Sequence, residues 1–224
     1  MTLLRQAGAV AAKDLRIELR GRHAAGAVLP FAATLLLVFG LSLGPGRSLL
    51  QQTAPALLWL AVLFASVLSF RQAYEIEGED GALEGLVLSP VDKAAVFLGK
   101  AAAVALGLVV LEVVALLLVG GLFGLSVVSD PAVMVAAFAL GTVGLAAVGS
   151  LFGVLNETPR ARESVFPLLV LPLATPVLIA GVRATSLAAA GQGGQAGGWL
   201  GLLVAFDLVF VAAGTLVFGF LLED

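Results

Sequence analysis

Two carboxylates sit where so apolar a chain has little reason to carry them. Glu112 and Asp207 lie inside the apolar runs Val96 to Leu122 and Trp199 to Leu222. If those runs are helices that cross a bilayer, a rise of 1.5 Å per residue puts the two acids about 15 and 12 Å from the same membrane face. A charge at the centre of such a helix costs at least about 2.5 kcal/mol, so each acid calls for an explanation. One reading has them facing a shared polar cavity or bundle interior, which would suit an ion- or proton-coupled carrier. The other has two neutral acids hydrogen-bonded to neighbouring backbone. Lys100, about 6 Å from the other end of its run by the same rise, is expected to snorkel to the headgroups.

A second concentration of acids lies outside the apolar runs. Between Arg71 and Lys93 stand Glu75, Glu77, Glu79, Asp80, Glu84 and Asp92, with Gly81, then Leu83, Leu86 and Leu88, then Ser89-Pro90. The segment is too short for a domain, and its pattern predicts a short helix ended near Pro90, since the residue before a proline disfavours helix.

Several chemistries are absent. No GxxxxGK run followed by Ser or Thr occurs, and Gly99-Lys100 is followed by Ala101, so ATP-driven work would need a second polypeptide. The single histidine, His23, has neither an HExxH motif nor any cysteine beside it, which argues against a metalloprotease or a metal cluster. His23 is expected to be an interfacial residue and not a haem ligand. No cofactor or metal bound directly by this chain is expected, and a net charge of -3 gives no reason to expect nucleic acid as a partner.

The elements that position these groups follow from composition. Of 224 residues, 60% are hydrophobic and 12% charged, and the mean hydropathy is +1.10. A crossing helix needs roughly 20 apolar residues, so the length leaves room for about six with short loops. The predicted fold is an all-α integral membrane protein, a single domain over 1-224, with spans Ala24 to Gly44, Thr53 to Phe70, Val96 to Leu122, Pro131 to Leu155, Ser164 to Val182 and Trp199 to Leu222. Ten basic residues fall on one side and two, Arg47 and Arg183, on the other, which predicts cytoplasmic N- and C-termini in the lipid bilayer. The basic residues among the first 22 spread too far for a cleavable signal, so the first apolar run is expected to be retained.

Residues 1-23 predict an amphipathic interfacial helix, with Arg5, Lys13, Arg16 and Arg20 on one side and Leu3, Leu4, Ala7, Val10, Ala11 and Leu15 on the other. Asp14 and Glu18 intrude on the apolar side, so part of that side is expected to touch protein. Pro167, Pro172 and Pro176 should kink or break the fifth span. Gly120 with Gly124, and Gly149 with Gly153, have the spacing that lets helices approach closely, inside one subunit more readily than between two. Ala188 to Gly198, rich in Gly, Gln and Ala, reads as a flexible loop.

The run from Glu77 through Gly81, Leu83 and Glu84 to Ser89-Pro90 resembles the loop of membrane subunits of ABC-2-type exporters, which forms a coupling helix docking on the ATPase. Narrower likenesses are Leu88-Ser-Pro-Val-Asp-Lys-Ala-Ala-Val-Phe-Leu-Gly-Lys100, Thr158-Pro-Arg-Ala-Arg-Glu163, Pro167 to Ile179 and Ala205-Phe-Asp-Leu-Val-Phe210. Together, in this order from Lys13 to Asp224, they resemble CcmB, the haem exporter protein B family of cytochrome c maturation. The loop around Gln192 to Gly198 departs from that pattern.

The resemblance implies an ABC transporter permease of the bacterial inner membrane, not an enzyme, with ATP hydrolysis on a partner ATPase of the CcmA type. It also implies a haem-handling membrane partner of the CcmC type, and a homodimer. Glu77, Glu79, Asp80, Gly81, Leu83, Glu84, Ser89 and Pro90 would then be the ATPase-coupling residues, and haem would be handled by the partner. The outcome would be haem export or release of a haem-loaded carrier. A general ABC-2-type exporter, or a carrier using Glu112 and Asp207, remain the alternatives.

Overall fold

The computed structural model describes residues 2–21, 24–44, 46–79, 91–125, 129–153 and 159–223, of which 19–21, 24–25, 71–79, 159–167 and 220–223 are described by their backbone alone. In chain order the helices are α1 (Leu3–Gly21), a π-helical turn (Ala24–Val28) leading into α2 (Leu29–Ser42), α3 (Arg47–Glu79), α4 (Lys93–Phe123), α5 (Pro131–Gly153), α6 (Pro159–Ala189), a 3-10 turn (Gly193–Gln195) and α7 (Gly197–Glu223).

Five stretches are long and apolar enough to cross a membrane: Arg47–Phe70, Lys93–Phe123, Pro131–Gly153, Leu168–Ala189 and Gly197–Gly219. The first expected span is shorter, an apolar helix over Gly26–Ser42. Its length of about 25 Å falls short of a hydrocarbon core of about 30 Å. Gly44 ends it in the left-handed region at φ 74°, where a glycine has no Cβ to clash. The chain is thus an all-α, multi-pass membrane protein.

Other boundaries move for local reasons. The second span continues past Phe70 to Glu79 as one helix, because Gln72, Ala73, Glu75 and Glu77 are good helix formers. Residues 71–79 therefore extend α3, and the short helix expected to end near Pro90 lies outside the described residues. α4 starts one residue after Asp92, whose side chain accepts a hydrogen bond from the Ala94 N–H at 2.9 Å and so satisfies one of the free donors of the first turn. It stops at Gly124, left-handed at φ 69°. Gly124 is thus a helix terminator, with the Gln51 side chain beside it.

The prolines of the fifth span do not break it. α6 runs unbroken through Pro167, Pro172 and Pro176. Each proline removes one N–H and frees the carbonyl four residues back. Pro172 and Leu168, whose carbonyl it frees, are both on the exposed side of the helix, so the neighbours keep their packing.

α5 is the central helix, touching α3, α4, α6 and α7. Trp59 of α3 is wholly buried, lies over Gly141 of α5 and Gly181 of α6, and stacks on Phe138 with centroids 5.4 Å apart. Its Nε1–H donates to Thr185 Oγ1 at 3.0 Å, which removes the cost of burying that donor. Gly149 of α5 lies against the Phe70 ring of α3, the missing Cβ making room for a side chain inside the subunit.

The Gly/Gln-rich segment is ordered, which corrects the expectation of a flexible loop. Gly191 turns the chain at φ 69°, Gln192 N donates to Leu187 O at 2.8 Å, and Ala196 is fully buried. Gly193 packs directly under the Asp130 carboxylate, whose Oδ1 accepts from Val133 N at 3.3 Å at the start of α5. Small residues allow this turn to sit tightly on the helix end.

Candidate functional site

The acidic segment is bracketed by described structure. Glu77 and Glu79 lie in the last turns of the α3 backbone. Asp80, Gly81, Leu83, Glu84, Ser89 and Pro90 lie outside the described residues, as do His23 and Thr158. Structure resumes just before Asp92, whose backbone N–H donates to Gln6 Oε1 of α1 at 3.4 Å.

From that point α1 follows α4 in the same direction. Ala7 and Val10 lie on Gly99, where an added Cβ would stand 2.7 Å from Ala7 O and 2.6 Å from Val10 Cβ. Further on, the Glu18 carboxylate lies over Gly107, 3.4 Å from such a Cβ. The buried face of α1 thus includes Ala7, Val10, Asp14 and Glu18, while Leu3, Leu4 and Ile17 stay exposed. The protein contact signalled by Asp14 and Glu18 is real. α4 is about 46 Å long, some 16 Å more than a hydrocarbon core.

Lys100 does not snorkel. It is 5% exposed, and its Nζ lies 3.9 Å from Asp14 Oδ2 while Lys13 Nζ lies 2.9 Å from Asp14 Oδ1. The reason is the neighbour: α1 covers the side of α4 from which Lys100 would otherwise reach water.

Glu112 is buried on α4, at 4% exposure. Thr142 Oγ1 of α5 stands 2.8 and 2.7 Å from its two carboxyl oxygens, and 2.7 Å from Phe138 O. A hydroxyl has one proton, so carboxyl and carbonyl compete for it. Asp207 of α7 is 8% exposed, and its Oδ1 finds no hydrogen-bond partner among the described residues. It faces Gly144 of α5, where an added Cβ would lie 2.8 Å from Oδ1.

The two acids therefore meet the same helix at nearly the same level but on different sides, since residues two apart on a helix point about 200° apart. Both are in the bundle interior, and among the described residues no single side chain joins them. Among the described residues no group of three His, Cys, Asp or Glu could hold a metal ion. Sequence reasoning missed Thr142, Gly144, Gly99 and Thr185. A threonine in an apolar run is a weak signal, and a glycine announces close approach without naming its neighbour.

The protein-family model described as "CcmB protein" matches residues 5–223. Among similar proteins, "Heme exporter protein B" of Bradyrhizobium diazoefficiens is 32% identical over 204 residues, covering 90% of each chain. The protein of that name from Pseudomonas aeruginosa is 34% identical over 214 residues, covering 91% of this chain and 93% of its own. That of Paracoccus denitrificans is 31% identical over 182 residues, covering 80% and 82%.

Proposed function

The chain belongs to the CcmB family, and from that premise we propose that it is the membrane subunit of an ABC-type haem exporter complex in cytochrome c maturation. A separate ATPase hydrolyses ATP, and this chain converts the resulting motion into haem export or into release of a haem-loaded carrier. The observation that carries the proposal is the family match across nearly the whole chain, including the acidic segment between α3 and α4. The names of its relatives supply the haem.

The geometry supports the mechanical part. The start of α1 meets the start of α4 at Asp92, and α3 leads in sequence into residues 80–90, so a partner seated on that segment is linked to three helices. Glu77, Glu79, Asp80 and Glu84 offer acceptors to basic or backbone donors of the ATPase, and Leu83 enters an apolar groove on it. Gly81, Ser89 and Pro90 shape the segment. The chain sits in the bacterial inner membrane with both termini in the cytoplasm, pairs with a second copy so that two ATPases are engaged, and works beside a haem-handling membrane protein.

The test is complementation of a bacterium lacking its own CcmB-family protein. Recovery of c-type cytochromes, read by haem staining, is the expected result, and reversal of charge at Glu79 and Glu84 should abolish it together with ATPase recruitment. No recovery from a stably inserted chain would overturn the proposal, and intact recruitment after charge reversal would overturn the docking role.

A further inference from the structure

The contact between α1 and α4 is closer and more polar than an anchoring helix requires. Four points fix it: Gln6 to the backbone of Asp92, Ala7 and Val10 on Gly99, Asp14 beside Lys100, and Glu18 over Gly107. They occur in the same order along both helices, so α1 is held along its length and in one register. We propose that α1 is a coupling lever locked to α4, and that Asp14, Lys100 and Gly99 are positioning residues which make the two helices move as one body when residues 80–92 are displaced. The inference rests on the reading of this chain as an ATPase-driven subunit.

Two arguments carry it. The first is placement. Asp92 is both the cap of α4 and the atom donor to Gln6, so force arriving through the preceding segment enters at the point where the helices are pinned. The second is the chemistry of the lock. An apolar contact would hold α1 on α4 at lower desolvation cost, because buried ion pairs are often matched or beaten by hydrophobic replacements. What a polar pair adds is register, since a helix slid by one turn leaves the Lys100 ammonium and the Asp14 carboxylate apart. Gly99 adds the close approach: the backbone of Ala7 occupies the space a larger residue would need. Meanwhile the side of α1 turned away from α4 carries the exposed Arg5 and Arg16, so the lever moves against water and headgroups and not against another helix.

The experiment uses the full complex, purified through the tagged chain, with four chains compared: wild type, Asp14→Asn, Lys100→Met, and the exchanged pair Asp14→Lys with Lys100→Asp. Chain abundance in the membrane, co-purified ATPase, ATP hydrolysis rate and yield of c-type cytochrome are read together. The single variants should keep wild-type abundance and ATPase recruitment but lose about tenfold in cytochrome yield per ATP hydrolysed, and the exchanged pair should recover most of that loss. Single variants equal to wild type in yield per ATP would overturn the inference. So would single variants whose ATPase recruitment or abundance falls in parallel with yield, since α1 would then serve docking or folding. If the wild-type chain brings down no ATPase, the functional reading itself fails and the inference with it.

Discussion

Thr142 and Gly144, two residues apart on α5, receive the two buried acids of the bundle on different sides of one helix: Thr142 Oγ1 lies 2.7 Å from a Glu112 carboxyl oxygen, and Gly144 lies under the Asp207 carboxylate. Each acid thus has its own contact with the central helix. Equal depth in the membrane does not bring them into one site.

A carrier built on a Glu112–Asp207 pair would fail when either acid is replaced, whereas an ATPase-driven subunit uses them for packing. Glu112→Gln and Asp207→Asn, singly and together, are expected to keep cytochrome c maturation within about twofold of wild type, because amides fill the same space and still hydrogen-bond. Haem staining of membranes from complemented cells measures it. A loss above tenfold in the well-inserted double variant would restore the carrier reading.

Removing the hydroxyl partner of Glu112 should cost stability. Thr142→Val leaves a buried carboxyl without its interhelical bond, for about 1–3 kcal/mol. At about 2–4 °C per kcal/mol for a chain of this size, the unfolding midpoint in detergent should fall by several degrees. Thr142→Ser keeps the hydroxyl and should stay close to wild type.

The clasp around Trp59 is tight enough to report on its own integrity. A methyl at Gly141 runs directly into the indole, and overpacking of this kind costs about 1–3 kcal/mol. Gly141→Ala should lower the thermal midpoint and make tryptophan fluorescence more accessible to a quencher, with Trp199 replaced by Phe so that Trp59 alone is read.

At the start of α5, Asp130 caps the helix and rests on Gly193. Asp130→Ala should destabilise by about 0.5–2 kcal/mol through loss of the cap. Gly193→Ala should do the same by forcing the carboxylate aside. Faster amide hydrogen exchange at 190–198 in either variant would confirm that the turn is held by this contact; unchanged exchange would contradict it.

Much of the fold is legible in the sequence, because apolar length and the placement of charge act along the chain. Six apolar runs become six apolar helices, and the acids at positions 14 and 18 announce that α1 touches protein. What is not legible depends on which element lies beside which. Lys100 reads as a snorkelling lysine until α1 is placed over it. Gly120 and Gly124 read as a packing pair, yet the second ends its helix. Ala188 to Gly198 reads as flexible from composition, but its small residues are what let the turn pack on Asp130. The matched depth of Glu112 and Asp207 is visible from helical rise alone, while their separation around α5 depends on where Thr142 and Gly144 point.

The central claim, that this chain is the membrane part of an ATPase-driven haem complex, is tested most directly by purifying the tagged chain from mild detergent and identifying what accompanies it by mass spectrometry. An ATPase together with haem-handling membrane subunits is the expected recovery. Recovery of this chain alone, repeated across several detergents, would contradict it.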